Sequence, residues 1–264
     1  MRTTLAPIMM AAALLLGAQT VSAADTLRPE VGEPLQKAQQ AIQAKKYKDA
    51  LLQVDAAAKV GSLTPYESYI VERMRAAAAT GAGDSATAIK AYEAALASPQ
   101  MPAGEKTQTY DVLAKLAYGG KNYAKASEYI QKYRAAGGNS AQTLGLLPQV
   151  MYQGGDLGGA QKELNAQIAA LEKNGQAPTE TQLQLLAQIG LKQNNTVAYA
   201  GALEKLVTYY PKKDYWLDVI IRTSNKPGFS DRLTLDLYRL KKITGTLEKP
   251  GDFMEAAQLA LQAG

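Results

Sequence analysis

The chain has 264 residues, 47% of them apolar and 20% charged, with a formal net charge of +5. It holds 0 Cys and 0 His, which removes disulfides, thiolate metal cages and Cys nucleophiles. Ser-His-Asp triads, imidazole bases and zincin helices go with them. The surplus of 29 basic over 24 acidic residues is far from the dense basic stripe of a nucleic-acid binder, and no metal or cofactor is implied.

Arg2 precedes an apolar run from Leu5 to Ala18, and no acidic residue occurs before Asp25. Val21-Ser22-Ala23-Ala24 places small residues where a signal peptidase cuts, after Ala23 or Ala24. Residues 1–24 therefore read as a signal peptide; the run is short of the ~20 apolar residues of a comfortable transmembrane span. An uncleaved amphipathic anchor is the alternative. No later segment is long and apolar enough to span a membrane, so residues 25–264 are expected in the periplasm without stable membrane insertion. The lack of Cys suits an oxidising compartment and, with the short signal, points to a Gram-negative bacterium.

Five segments of the remaining chain share a pattern: a polar or Gly turn, an aromatic or small residue, Ala three later, then an apolar residue. They are Ala44 to Val54, Gly81 to Tyr92, Gly119 to Ile130, Gln153 to Leu164 and Lys192 to Leu203. Their matching residues are Ala50, Ala88, Ala126, Ala160 and Tyr199, at intervals of 38, 38, 34 and 39. Helical periodicity supports the same reading: Leu183, Leu186, Ala187 and Gly190, then Leu203, Leu206, Val207 and Tyr210, follow i, i+3, i+4, i+7. Asn194-Asn195-Thr196 forms a glycosylation sequon, but it falls in one of the predicted turns.

This pattern resembles the tetratricopeptide repeat family, whose unit is 34 residues of helix-turn-helix. The resemblance covers residues 33 to 264. It implies an all-α, right-handed superhelical α-solenoid of five to six repeats plus a final lone helix. In that family a small residue at the eighth position of helix A packs against one at the twentieth, in helix B. Ala114 and Ala126 fill those roles in the third repeat, with Tyr110, Leu113 and Ala117 at the fourth, seventh and eleventh positions. Leu183, Leu186, Ala187 and Gly190 do so in the fifth. Pro99 and Pro211 end helices B, and Trp216 sits where the next helix A carries an aromatic.

The departures are specific. Glu72 and Arg75 stand where apolar residues belong, which leaves the register of the second helix A open. Gly145 and Pro148 lie inside the fourth helix A, and proline predicts a kink or a late start there. The longer intervals predict longer helices or loops, such as Leu63-Thr64-Pro65 and Asn174 to Pro178. Phe253, Ala256, Ala257 and Ala260 match a further helix A, with Gly264 at its turn and an apolar face at Leu259-Ala260-Leu261. Either this helix caps the stack or the natural protein continues, and continuation is the expectation.

Four segments invite a catalytic or ligand reading. Gly154-Gly155-Asp156-Leu157-Gly158-Gly159 lacks the Gly-Lys-Ser/Thr order of a phosphate loop and reads as an interhelix turn, as does Gly119-Gly120-Lys121-Asn122. Glu67-Ser68 is the dipeptide of lytic transglycosylases, but Tyr69-Ile70-Val71-Glu72-Arg73 does not continue their pattern; a solvent-facing Glu opening a helix is expected instead. The aromatic and basic run from Tyr209 to Trp216 could stack on sugars or bases, yet the repeat already explains Pro211 and Trp216 as packing residues.

The resemblance implies a concave groove lined by the second, fifth, ninth and twelfth positions of helix A. Here the fifth gives Asp111 and Gln184, the ninth Lys115, Gln149 and Gln188, and the twelfth Tyr118 and Tyr152; the second gives Gln108, Gln142 and Thr181. The Lys, Asn and Arg clamp of carboxylate-binding members is absent, with Lys115 the clear cation and Arg73 a second. The expected ligand is a neutral extended segment, gripped by Tyr packing and Gln amides. Function is thus expected to be a non-enzymatic scaffold or adaptor of the cell envelope, binding a protein or peptide partner and no nucleic acid. The alternative is a peptidoglycan- or glycan-associated protein using groove carboxylates, with enzymatic turnover as its mark.

Overall fold

The computed structural model describes residues 26–225, 228 and 230–262. The signal-peptide reading of residues 1–24 and the turn expected at Gly264 lie outside them. The described residues are helical throughout, joined by short connections and with no strand among them. The chain divides into two compact units, one up to Thr109 and one from Tyr110.

In the first unit α1 (Pro29–Gln43) pairs with α2 (Tyr47–Ala58), and α3 (Pro65–Ala82) with α4 (Ser85–Ala97); α5 (Ala103–Gly119) begins here and crosses into the second. Val31, Leu35, Ala38, Val54, Ala57 and Val71 form a core between α1, α2 and α3. In the second unit α6 (Tyr123–Ala135) packs on α7 (Ala141–Gly145) and α8 (Leu147–Gln153), and α8 on α9 (Leu157–Lys173). Then α10 (Glu180–Lys192) pairs with α11 (Thr196–Tyr209), and α12 (Lys213–Ser224) with α13 (Asp231–Ile243), which touches α14 (Pro250–Gln262). Each unit is all-α, a solenoid-type stack of tetratricopeptide-like helix pairs. In the second unit an apolar cluster joins Leu164, Ile168, Leu183, Leu186, Leu203 and Leu206 across α9, α10 and α11; each such buried side chain contributes about 1.5–3 kcal/mol.

Five of the connections share one turn. In each, a left-handed residue (Lys45, Gly83, Lys121, Gly155 or Asn194) precedes the helix B N-cap (Lys46, Asp84, Asn122, Asp156 or Asn195). The N-cap N–H donates to the carbonyl five residues back, at Ala41, Ala79, Ala117, Met151 and Gly190 respectively. Four of the five N-caps also accept a backbone N–H through the side chain, which satisfies an otherwise orphaned donor of the first turn. Four residues beyond the N-cap lie Ala50, Ala88, Ala126, Ala160 and Tyr199, all buried. The sequon residue Asn194 is thus a turn residue.

The register of the second helix A is settled by Ala76 and Ala79, both buried at the eighth and eleventh positions. Glu72 and Arg75 keep that register as an ion pair at 3.4 Å, with Arg75 also bonded to Asp55. The fourth helix A breaks at Leu146, and Pro148 falls in the first turn of α8, where its missing N–H is tolerated. Extra length resides partly in the helices: α5 and α9 each run 17 residues. On α14, Ala260 and Leu261 are exposed and Leu259 is half-buried, with Phe253 and Met254 exposed on the same helix.

Candidate functional site

The A helices α5, α8 and α10 carry the predicted groove residues in helical spacing: Asp111, Lys115 and Tyr118; Gln149 and Tyr152; Gln184 and Gln188. Residues three and four apart share a helix face, so each helix presents its members together. The helices are tied along this face. Thr143 at the start of α7 donates to Asp111 Oδ1 at 2.5 Å, and the Lys192 ammonium of α10 stands 4.6 Å above the Tyr152 ring of α8.

The structure sorts the predicted residues by what already engages them. Asp111 accepts from Thr143 and is paired with Lys115 at 2.6 Å. Gln184 donates to the Tyr215 hydroxyl at 2.7 Å, and that hydroxyl donates to Glu180. Lys212 pairs with Glu180 at 2.6 Å. The Lys212 ammonium, and after it the Tyr215 hydroxyl, hold the Glu180 carboxyl below its ordinary range. Arg73, in the first unit, makes the matching reach to Glu105 at 3.4 Å. Arg73, Asp111 and Gln184 all lie fifteen residues before their repeat's buried marker at Ala88, Ala126 or Tyr199. This fifth position is a latch to the following A helix.

The other four differ. Among the described residues, Gln149 and Gln188 have no hydrogen-bond partner for their amides, and the Tyr118 and Tyr152 hydroxyls have none either. Tyr118 is exposed and tilts against Tyr123, with ring centroids 6.2 Å apart. Three A helices therefore present two free amides and two free phenols beside a charge pair that is internally neutralised.

Sequence reasoning missed Lys192. It stands one position past the template's groove set, so the cation over Tyr152 emerges only from the stacking of α8 on α10. Glu67 corrects an expectation. It opens α3 as anticipated, but its side chain is fully buried rather than solvent-facing. Thr64 and Glu67 form a reciprocal capping box, and Arg28 grips the carboxylate through its guanidinium at 2.8 and 2.9 Å. The Arg28 hydrogen bonds, then the Thr64 N–H, lower the Glu67 carboxyl to about 2. A general acid needs the opposite shift, so the transglycosylase-like role is closed to it.

The run from Tyr209 to Trp216 is likewise engaged internally. Tyr209 donates to Glu172 at 3.1 Å, Tyr210 to the Pro178 carbonyl at 2.9 Å, and Lys213 pairs with Glu248. An open cavity of about 410 Å³ between α9 and α11 is lined by Glu172, Lys205 and Tyr209, and Lys205 pairs with Glu172 there at 2.5 Å.

No protein-family model matches the chain, and no curated protein matches it. Among solved structures, that of PilF from Pseudomonas aeruginosa overlaps 88% of this chain and 90% of its own, at 16% identity and a TM-score of 0.34. An overlap that loose bears on neither partner nor chemistry. Among the described residues, no helix is long and apolar enough to cross a membrane.

Proposed function

We propose that the protein is a non-enzymatic interaction scaffold of the bacterial cell envelope, exported to the periplasm with residues 1–24 removed as a signal peptide. It holds an extended, largely uncharged segment of a protein partner across α5, α8 and α10. The observation that carries this reading is a set of amides and hydroxyls on the A helices that have no hydrogen-bond partner among the described residues: those of Tyr118, Gln149, Tyr152 and Gln188. An extended backbone needs donors and acceptors at intervals, which the two amides supply; the tyrosines add large contact area at low entropic cost. Asp111, Lys115 and Gln184 flank the row and hold it in place.

The test is crosslinking in cells from photoreactive residues at positions 118 and 152, followed by mass spectrometry. One envelope protein captured from both positions supports the reading, and Tyr118→Ala with Tyr152→Ala then weakens that capture while leaving helical circular dichroism unchanged. Glycan adducts transfer the function to the peptidoglycan-associated alternative. Absence of any specific adduct from both sites overturns the row as the interface.

A further inference from the structure

The fifth position of the repeat reaches across to the next A helix at Arg73, Asp111 and Gln184. In the fourth repeat the corresponding residue is Gly145, fifteen before Ala160. It has no side chain to send across, and a Cβ built on it meets nothing within 4 Å. The helix break beside it adds to the gap, because Pro148 cannot donate to the carbonyl a turn earlier. The result is a cavity of about 240 Å³, open to solvent, where the second, third and fifth repeats have a latch.

The walls are part apolar and part uncharged polar. Pro148, Leu164 and Leu185 line it, and all three are buried. Gln149 and Thr181 stand among the lining residues, and no ionisable group lines it. The far wall is fixed by the capping box between Thr179 and Gln182, so the cavity is preformed. An apolar cavity of roughly 150 Å³ takes benzene, whereas drug-sized ligands occupy about 300–1,000 Å³. The volume suits one large side chain. A charged one would find no ionisable partner among the lining residues.

We infer that the break in the fourth A helix forms a specificity pocket for a single large, uncharged apolar side chain of the bound segment, leucine- or phenylalanine-sized. The inference rests on the A-helix row as the partner-binding face. The side chain enters beside Gly145 and packs on Leu164 and Leu185, while the free Gln149 amide bonds the adjoining backbone.

The experiment uses the full mature chain with methyl-labelled leucine and follows the Leu164 and Leu185 methyl signals by NMR. The probes are N-acetyl-leucine amide and N-acetyl-phenylalanine amide, against the aspartate and lysine analogues. Saturable shifts at both leucines with the apolar probes alone are expected. Gly145→Leu fills the space and weakens apolar-probe binding about tenfold or more; Gly145→Ala, the smaller change, weakens it less. No shift with the apolar probes, equal shifts with the charged ones, or indifference to both Gly145 variants overturns the pocket. The crosslinks from positions 118 and 152 are then repeated with Gly145→Leu. Loss of the adduct supports the pocket, whereas an unchanged adduct overturns it and leaves the row standing. Apolar probes bound at Leu164 and Leu185 without any crosslink support the pocket and sink the row.

Discussion

Gly190 approaches helix α11 so closely that a Cβ built on it falls 2.8 Å from the backbone nitrogen of Tyr199. The second and third repeats carry Ala79 and Ala88, and Ala117 and Ala126, at the same two positions, all four buried. The fifth exchanges that pair for the smallest residue on helix A and a tyrosine on helix B. The tyrosine uses the exchange: its hydroxyl donates to Asp218, and the Arg222 guanidinium lies 4.1 Å above its ring.

Gly190→Ala should push α10 and α11 apart and destabilise the protein by about 1–3 kcal/mol, the usual range for overpacking. Tyr199→Ala should cost about 3 kcal/mol or more through lost burial. The double variant recreates the Ala-Ala pair of the first three repeats and should therefore lose less than the sum. Urea midpoints of the four proteins decide it; strict additivity would sink the account.

Lys45 and Lys121 hold the left-handed turn conformation that Gly83 and Gly155 hold elsewhere, with φ of 58° at each lysine. A side-chain-bearing residue there costs about 1–2 kcal/mol, against about 0.5–1 kcal/mol of extra entropy for glycine. Lys45→Gly and Lys121→Gly should each stabilise by about 0.5–1 kcal/mol, and Gly83→Ala or Gly155→Ala should destabilise by about 1 kcal/mol. Chemical denaturation of the single variants checks the signs.

Glu67 carries an acid dependence. Its carboxyl lies near 2 in the folded protein against an ordinary 4.5, chiefly through the Arg28 hydrogen bonds. Its contribution is therefore complete above the ordinary value and is lost as pH falls from there through about 2. Thermal midpoints measured across that window should fall steeply for the natural protein and less steeply for Glu67→Gln, which is also the less stable at neutral pH. Parallel slopes would remove Glu67 from the account.

Tyr69 carries the alkaline counterpart. Burial first, and then the hydrogen bond to Glu105 at 2.9 Å, push its hydroxyl up to about 12. The neutral form is the one the fold favours, so stability is full below the ordinary tyrosine value of 10.0 and is lost as pH rises through about 12. Tyr69→Phe should cost about 1 kcal/mol near neutral pH and flatten the alkaline slope, as read from denaturation midpoints between the two values.

What the sequence could and could not disclose divides along range of interaction. The turns and the buried residues at 50, 88, 126, 160 and 199 were legible because cap, left-handed residue and marker lie within six positions of one another. The break at Pro148 was legible because one missing N–H suffices to cause it. Burial of Glu67 depends on Arg28, 39 residues away, and the local rule for helix openings pointed to solvent. The latch role of Asp111 and Gln184, and the place of Lys192 over Tyr152, depend on which side chain the adjacent repeat offers. A template of single-repeat positions contains no such term.

The shared turn also fixes where this chain tolerates changes of length. The carbonyl that receives the N-cap N–H and the buried marker of helix B are nine residues apart in all five pairs. An insertion between them would rotate helix B and bury the wrong face. The opposite ends have no such index: connectors such as Ser98–Pro102 and Asn174–Thr179 differ in length and follow helices of 13 and 17 residues. Drift in repeat length therefore accumulates at one edge of the stack, while the other edge keeps its count.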